Sequence, residues 1–220
     1  MTNQFLRLIL HILYPTRCPV CGKFIGFKDD FCIECKDALT LYDENFTIPG
    51  ADGFCASFVY DNNISPAIML LKDGICGNAA YALGTALAYT IRNCSFHNNV
   101  DAVVPTPMHK SDLKLRGYNQ SELIARVVSE ILGIKMIKDA VIKNRKTRNQ
   151  KSLNRSEREK NLKEAFNITK PEKISGKRIL LIDDICTTGS TMKEITKTLK
   201  ENNAVSVICA CCCKTLYYNS

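Results

Sequence analysis

A mainly parallel α/β domain preceded by a small cysteine-stapled module is the fold class that this 220-residue sequence predicts. Three observations predict it. From residue 54 onward, apolar runs of strand length alternate with segments of helical period, the pattern of a parallel sheet with helices on both faces. Two of those runs, 177–184 (KRILLIDD) and 205–212 (VSVICACC), have unbroken apolar centres, as strands buried on both faces do. Residues 1–50, by contrast, are loop-rich, hold four cysteines in two pairs and close on Pro49 and Gly50. The chain therefore divides into residues 1–50 and residues 51–220, enough for one ordinary domain plus an appendage.

The elements follow in order. Residues 5–13 are apolar but interrupted by Arg7 and His11. They read as a short packing helix ending at Pro15; the competing reading, an interfacial membrane anchor, lacks a strongly basic polar face. Residues 54–60 (FCASFVY) predict a strand and 66–72 a short helix. Ala79, Ala80, Leu83, Ala86, Leu87 and Ile91 recur at helical spacing. Residues 100–105 predict a second strand, and Leu123, Ile124, Val127, Val128, Ile131 and Leu132 form one face of a helix. A short strand fits within 135–143, whereas 144–161 is polar without a period. After the run at 177–184, Met192, Ile195 and Leu199 give the next helix its buried stripe.

Composition narrows the setting. An apolar fraction of 45% and a charged fraction of 24% are those of soluble globular chains. No stretch reaches the run of about 20 apolar residues that a membrane span needs. Twelve cysteines without a signal-peptide pattern point to the cytoplasm, with metal ligands and buried thiols rather than disulfides. The net charge of +8 is uneven. Residues 110–178 carry 19 Lys/Arg against 8 Asp/Glu, which places +11 there and −3 on the rest. That segment is expected to face an anionic partner.

Cys18 and Cys21, then Cys32 and Cys35, form two C-x2-C pairs separated by ten residues. Zn²⁺ prefers four tetrahedral ligands, and each knuckle supplies two adjacent corners. Four thiolates leave no open position, so the predicted metal site is structural. A piece of about 50 residues with few large apolar groups needs such a staple to fold.

The stretch 179–191 carries the second motif. A buried strand runs into Asp183 and Asp184, then into a bend containing Thr187, Thr188, Gly189, Ser190 and Thr191, then into a helix. Ligands of open parallel sheets bind beyond the carboxyl ends of strands. Glycine permits a tight turn, amides and hydroxyls of the bend can hold an anion, and the helix N-terminus adds its dipole. Acids beside a bare phosphate would repel it, but ribose hydroxyls are donors, so a sugar phosphate accounts for both halves. Neighbouring strand residues point to opposite faces, so both acids reach one sugar only where the strand frays. Neither G-x4-G-K-[ST] nor G-x-G-x2-G occurs, which disfavours nucleotide P-loops and dinucleotide folds.

The stretch 182–191 resembles the phosphoribosyl pyrophosphate (PRPP) motif of type I phosphoribosyltransferases. Over nearly its whole length the chain resembles the ComF family of competence-associated proteins. The two cysteine pairs are followed by Leu71, Lys72, Asp73 and Gly74, then Leu83 and Gly84, and then the segment 104–108 (VPTPM). After these come Arg116, Gly117, Tyr118, Asn119 and Gln120, the stretch 145–150 before Leu153, Arg158, Asn161 and Phe166, and the PRPP motif itself. The resemblance implies a type I phosphoribosyltransferase kind of α/β fold with a mainly parallel sheet and a small N-terminal zinc-ribbon module. It implies that Asp183 and Asp184 are the catalytic carboxylates holding the ribose hydroxyls, while 187–191 bind the 5′-phosphate. The loop after the 100–105 strand would hold pyrophosphate with Mg²⁺, with Arg116 and Lys72 as cations. The stretch 144–161, with Arg145, Arg148 and Arg158, matches a mobile hood over the site. Such enzymes exchange pyrophosphate on the ribose for a nitrogen nucleophile; no residue set here identifies the acceptor. The family's association with DNA uptake implies single-stranded DNA and the competence helicase and uptake machinery as partners, at the inner face of the membrane.

Three groups remain open on sequence grounds. The basic run 143–163, nine Lys/Arg against two Glu, suits a cover over PRPP, a single-stranded nucleic-acid contact or a solvated loop. Cys209, Cys211, Cys212 and Cys213 read as core thiols, because adjacent cysteines cannot share a metal as C-x2-C does. Of the three histidines only His109 falls near the expected site.

Overall fold

The computed structural model describes residues 15–73, 77–145 and 165–216. The stretch 5–13 and most of 144–161, with Arg148 and Arg158, lie outside the described residues. In chain order the elements are α1 (Ile33–Ala38), β1 (Gly53–Val59), α2 (Ser65–Lys72), α3 (Gly77–Asn93), β2 (Ala102–Pro105), α4 (Lys110–Arg116) and α5 (Gln120–Leu132). They continue with β3 (Val141–Lys143), β4 (Phe166–Ile168), α6 (Pro171–Ile174), β5 (Arg178–Cys186), α7 (Ser190–Glu201) and β6 (Ser206–Lys214).

The apolar centres of β5 and β6 dictate the sheet. Ile179, Leu180, Leu181 and Ile182 are fully buried, each contributing about 1.5–3 kcal/mol relative to exposure. They can be buried on both faces only if β5 is central, and the strand order is β1-β6-β5-β2, parallel throughout. Alternation then sorts the side chains. Leu180, Ile182, Ile208 and Ala210 meet α2, α3 and α5, while Ile179, Leu181, Val207 and Cys209 meet α7 and the β3–β4 pair.

This topology opens a crevice. The chain leaves β2 towards α5 on one face and leaves β5 towards α7 on the other. The carboxyl ends of these neighbouring strands therefore diverge, as at the switch point of an open parallel sheet. On the first face α3 and α5 pack closely because Gly84 has no side chain; a Cβ there would lie 2.7 Å from Val127 Cβ.

The cysteine-rich segment joins the same core. Cys18 and Phe31 are buried within it, and the Phe31 ring meets Phe58 of β1 edge-on at 6.2 Å. The following residues run antiparallel beside β1: Val59 N–H donates to Thr40 O at 2.9 Å and Tyr42 N–H to Ser57 O at 3.1 Å. That covers an edge which would otherwise be left unpaired.

Two features depart from the expectations. β5 does not end at the acids but continues to Cys186, which pairs with Lys214 of β6. The short strand expected within 135–143 is β3, and it pairs antiparallel with β4, a partner only three residues long. No helix among the described residues is long and apolar enough to cross a membrane.

Candidate functional site

The four cysteines converge. The sulfurs of Cys18, Cys21, Cys32 and Cys35 all lie within 4.8 Å of one another, with Cys21 and Cys32 at 3.6 Å. Zn–S bonds of about 2.3 Å in a tetrahedron put sulfurs about 3.8 Å apart, so the set fits a zinc ion. The first knuckle turns at Gly22, whose φ is +77°, and closes through Cys18 N–H to Lys23 O at 2.8 Å. The second opens α1, with Cys32 as its N-cap. Burial of Cys18 opposes its charge, yet backbone amides of Cys32, Cys21 and Val20 bring its thiol down to about 7, while Cys32 is shifted up and Cys35 is pushed well up by burial and its cysteine neighbours; four thiols this close cannot all ionise without a cation to share the charge.

At the crevice, β5 passes through residues 187–189 into α7. Gly189 is the N-cap, with φ +77°, a conformation glycine adopts without strain. Behind it, Phe46 Cζ and Ile48 Cγ1 stand 3.3 and 3.4 Å from where a Cβ would be. The Thr188 and Ser190 hydroxyls share a hydrogen bond at 2.8 Å. Among the described residues no group accepts from the backbone N–H of Thr188 or of Gly189. Two such amides opening a twelve-residue helix with no acid in its first turn are groups that can hold an anion. Thr187, Thr188 and Thr191 are half-buried around it; Ser190 is buried.

The two acids part company. Because β5 stays regular through both, they point to opposite sides. Asp183 is buried and accepts from Ser121 Oγ at 2.8 Å and from the Asp184 amide at 2.9 Å. Burial, then the neighbouring Asp184 charge, pushes its carboxyl well above the usual range, while Ser121 pulls the other way. Asp184 is half-buried, and its Oδ2 lies 3.6 Å from Lys72 Nζ at the end of α2. Lys72 is thus brought to Asp184. Arg116 is exposed at the end of α4, with no hydrogen bond or ion pair to either acid among the described residues. Arg145 is exposed two residues past β3.

A cavity of about 400 Å³ flanks the loop after β2, lined by Pro107, Met108, Tyr118, Leu123 and Lys143 among others. A larger groove of about 1230 Å³ runs between the cysteine module and α3, rimmed by the exposed Phe24, Ile33, Leu41 and Tyr89. Neither is lined by residues 187–191.

A phosphoribosyl transferase domain model matches residues 118–218, and a double zinc ribbon model matches residues 9–46. The second segment contains four cysteines, ligands for a single four-coordinate ion. Among solved structures, adenine phosphoribosyltransferase from Thermoanaerobacter pseudethanolicus is 15% identical with a TM-score of 0.40, over 70% of this chain and 86% of that one. Competence protein F of Haemophilus influenzae is 34% identical over 102 residues, 46% of this chain and 44% of that protein. DNA utilization protein YhgH of Escherichia coli is 30% identical over 204 residues, 91% of this chain and 85% of that protein. The chain belongs to the ComF family.

The ComF block at 116–120 has a readable job in this fold. Gly117 ends α4 at φ +85°. The Tyr118 hydroxyl donates to Leu71 O at 2.7 Å, tying α2 and hence Lys72 into place. Asn119 caps α5 and donates to Thr106 O at 2.9 Å, holding the loop after β2. Ser121, one residue beyond the block, reaches Asp183. Reading the ComF sequence missed Tyr118, Asn119 and Ser121 as supports; the density of polar residues opening a helix was the available signal. It also missed Lys214, a cation ending an apolar run. His109, expected near the site, caps α4, its Nδ1 accepting from Ser111 N at 3.2 Å. The cysteines 209 and 211–213 are fully buried core residues.

Proposed function

We propose that this ComF-family chain binds a phosphoribosyl ligand, PRPP with Mg²⁺, and transfers its phosphoribosyl group to a nitrogen acceptor in a process serving DNA uptake or use. The observation that carries the reading is that two amides with no acceptor among the described residues, those of Thr188 and Gly189, follow within five residues of a half-buried carboxylate, Asp184, near the carboxyl end of β5. The amides and the α7 dipole suit a 5′-phosphate. Asp184 suits ribose hydroxyls as an acceptor, and Lys72 beside it suits the departing pyrophosphate. Asp184 is also a fitting oxygen ligand for Mg²⁺, an ion that takes one or two carboxylates plus substrate phosphates; bound there, it would screen the pyrophosphate charge. Structural zinc on Cys18, Cys21, Cys32 and Cys35 completes the protein.

In the transfer, the acceptor nitrogen forms a bond to the ribose anomeric carbon as the carbon–oxygen bond to pyrophosphate breaks. Pyrophosphate leaves with the electron pair, and the nitrogen's proton passes to solvent. Asp184 would favour positive charge developing on the ring. Asp183, held by Ser121, would act by orienting the strand end and the bend.

The charge of residues 143–163, +7 in total, favours a second reading in which single-stranded DNA of the uptake machinery binds this stretch. Titration of PRPP into the zinc-loaded chain, with and without Mg²⁺, tests the first. Binding that strengthens with Mg²⁺ and collapses in Asp184→Asn is expected. Absence of PRPP binding, alongside salt-steep binding of single-stranded DNA by both proteins, would replace it with the second.

A further inference from the structure

Lys214, the last residue of β6, is 3% exposed. Lysine is seldom buried so far, and burial pulls its pKa below the ordinary value. Its ammonium donates to Thr187 O at 2.9 Å and to Thr215 O at 2.6 Å, and lies 4.3 Å from the centre of the Phe46 ring. Phe46 is the same ring that stands behind Gly189. One cation therefore touches the start of the anion-binding bend, and one aromatic ring backs both.

The peptide between Thr187 and Thr188 converts that contact into an orientation. A trans peptide holds its C=O and N–H on opposite sides, and no cis bond occurs among the described residues. With the Thr187 carbonyl drawn towards β6, the Thr188 N–H is turned away from it. That is the amide for which no acceptor exists among the described residues. A cation on the carbonyl also polarises the peptide, which strengthens the N–H as a donor. The Phe46 and Ile48 side chains, packed against Gly189 from behind, keep the bend from relaxing backwards.

We propose that Lys214 is the positioning residue of the anion bend, fixing the 187–188 peptide so that Thr188 N–H faces an incoming phosphoryl group. The identity of the ligand as a phosphoribosyl compound rests on the function proposed above; the orientation of the peptide does not. A support that was only packing would be satisfied by any side chain filling the same volume. Lys214 would instead be replaceable by another cation and not by a neutral isostere.

The test compares wild type, Lys214→Met and Lys214→Arg, each checked for folding by circular dichroism. Binding of ribose 5-phosphate and of PRPP is measured by calorimetry, and the ligand-free wild type and Lys214→Met are crystallised. Loss of one charge-assisted donor to a phosphate corresponds to about tenfold in affinity. We expect that loss for both ligands in Lys214→Met, recovery to within about threefold in Lys214→Arg, and a Thr187 carbonyl turned from β6 in the Met variant. Equal binding by wild type and Lys214→Met, or no recovery in Lys214→Arg, overturns the proposal. If wild type binds neither ligand, the phosphoribosyl reading fails on its own, and the crystal structures decide: a turned carbonyl supports the role of Lys214, an unmoved one ends it. Should Lys214→Met not fold, Lys214→Gln carries the same comparison.

Discussion

The Ser121 hydroxyl donates to the Asp183 carboxylate at 2.8 Å in the interior, across 62 residues of sequence. It joins the first turn of α5 to the point where β5 nears the crevice. Asp183 has its pKa raised, by burial first and by Asp184 second. A group raised above its unfolded value stabilises the fold fully below that unfolded value, about 3.9 for Asp, and loses its contribution as pH climbs through the folded one. Asp183→Asn, which keeps an oxygen for Ser121, should therefore be more stable than wild type above neutrality, by about 1–3 kcal/mol. The gain should vanish near pH 4. Thermal melts from pH 4 to 9 check this; a constant offset at every pH would contradict it. Ser121→Ala should cost about 1 kcal/mol and, because Ser121 holds the Asp183 pKa down, should deepen the loss of stability as pH rises.

Lys72 and Asp184 behave differently because their pair is open to water, with side-chain exposures of 34% and 17%. Such a pair adds at most about 1 kcal/mol. Lys72→Met should thus leave the denaturant midpoint almost unmoved while weakening PRPP binding about tenfold or more. A large stability loss with intact binding would reverse the assignment.

Metal content gives a sharper number. With four converging thiolates and no other Cys/His/Asp/Glu cluster of that kind among the described residues, atomic absorption should find one zinc per chain. Cys35→Ser or a chelator should remove it. Because Cys18 and Phe31 lie in the main core, the loss should also lower the melting temperature of the whole chain. Two zinc ions per chain, or an unchanged melt after removal, would contradict this.

Gly84 is a packing prediction. Alanine in a helix interior normally gains about 1 kcal/mol over glycine. Here the added Cβ would fall 2.7 Å from Val127 Cβ and 3.2 Å from Ile124 O, so Gly84→Ala should instead cost about 1–3 kcal/mol. Val127→Ala in the same chain should recover part of it, a coupling that a double-mutant cycle measures.

How far the sequence alone reached depended on length of signal. The runs around Leu180 and Val207 announced central parallel strands because full burial needs consecutive apolar residues. The cysteine pairs and the bend at Gly189 were legible because turns and knuckles demand particular residues at fixed offsets. The end of β5 was not: Asp183 and Asp184 look like a boundary, yet backbone pairing to β6 carries the strand to Cys186. The partner of β3 escaped notice because three residues, Phe166–Ile168, carry no period. Ser121 and Lys214 matter through contacts 62 and 27 residues away, which no local pattern encodes.

The cysteines of β6 have a practical consequence. Burial pushes the thiols of Cys209, Cys211, Cys212 and Cys213 upward, and solvent does not reach them in the native sheet. An alkylating reagent can therefore tag them only when the central strand comes apart. Mass spectrometry of this one peptide, followed over time, becomes a clock for whole-molecule opening. The chain thus carries its own probe of how long it stays folded.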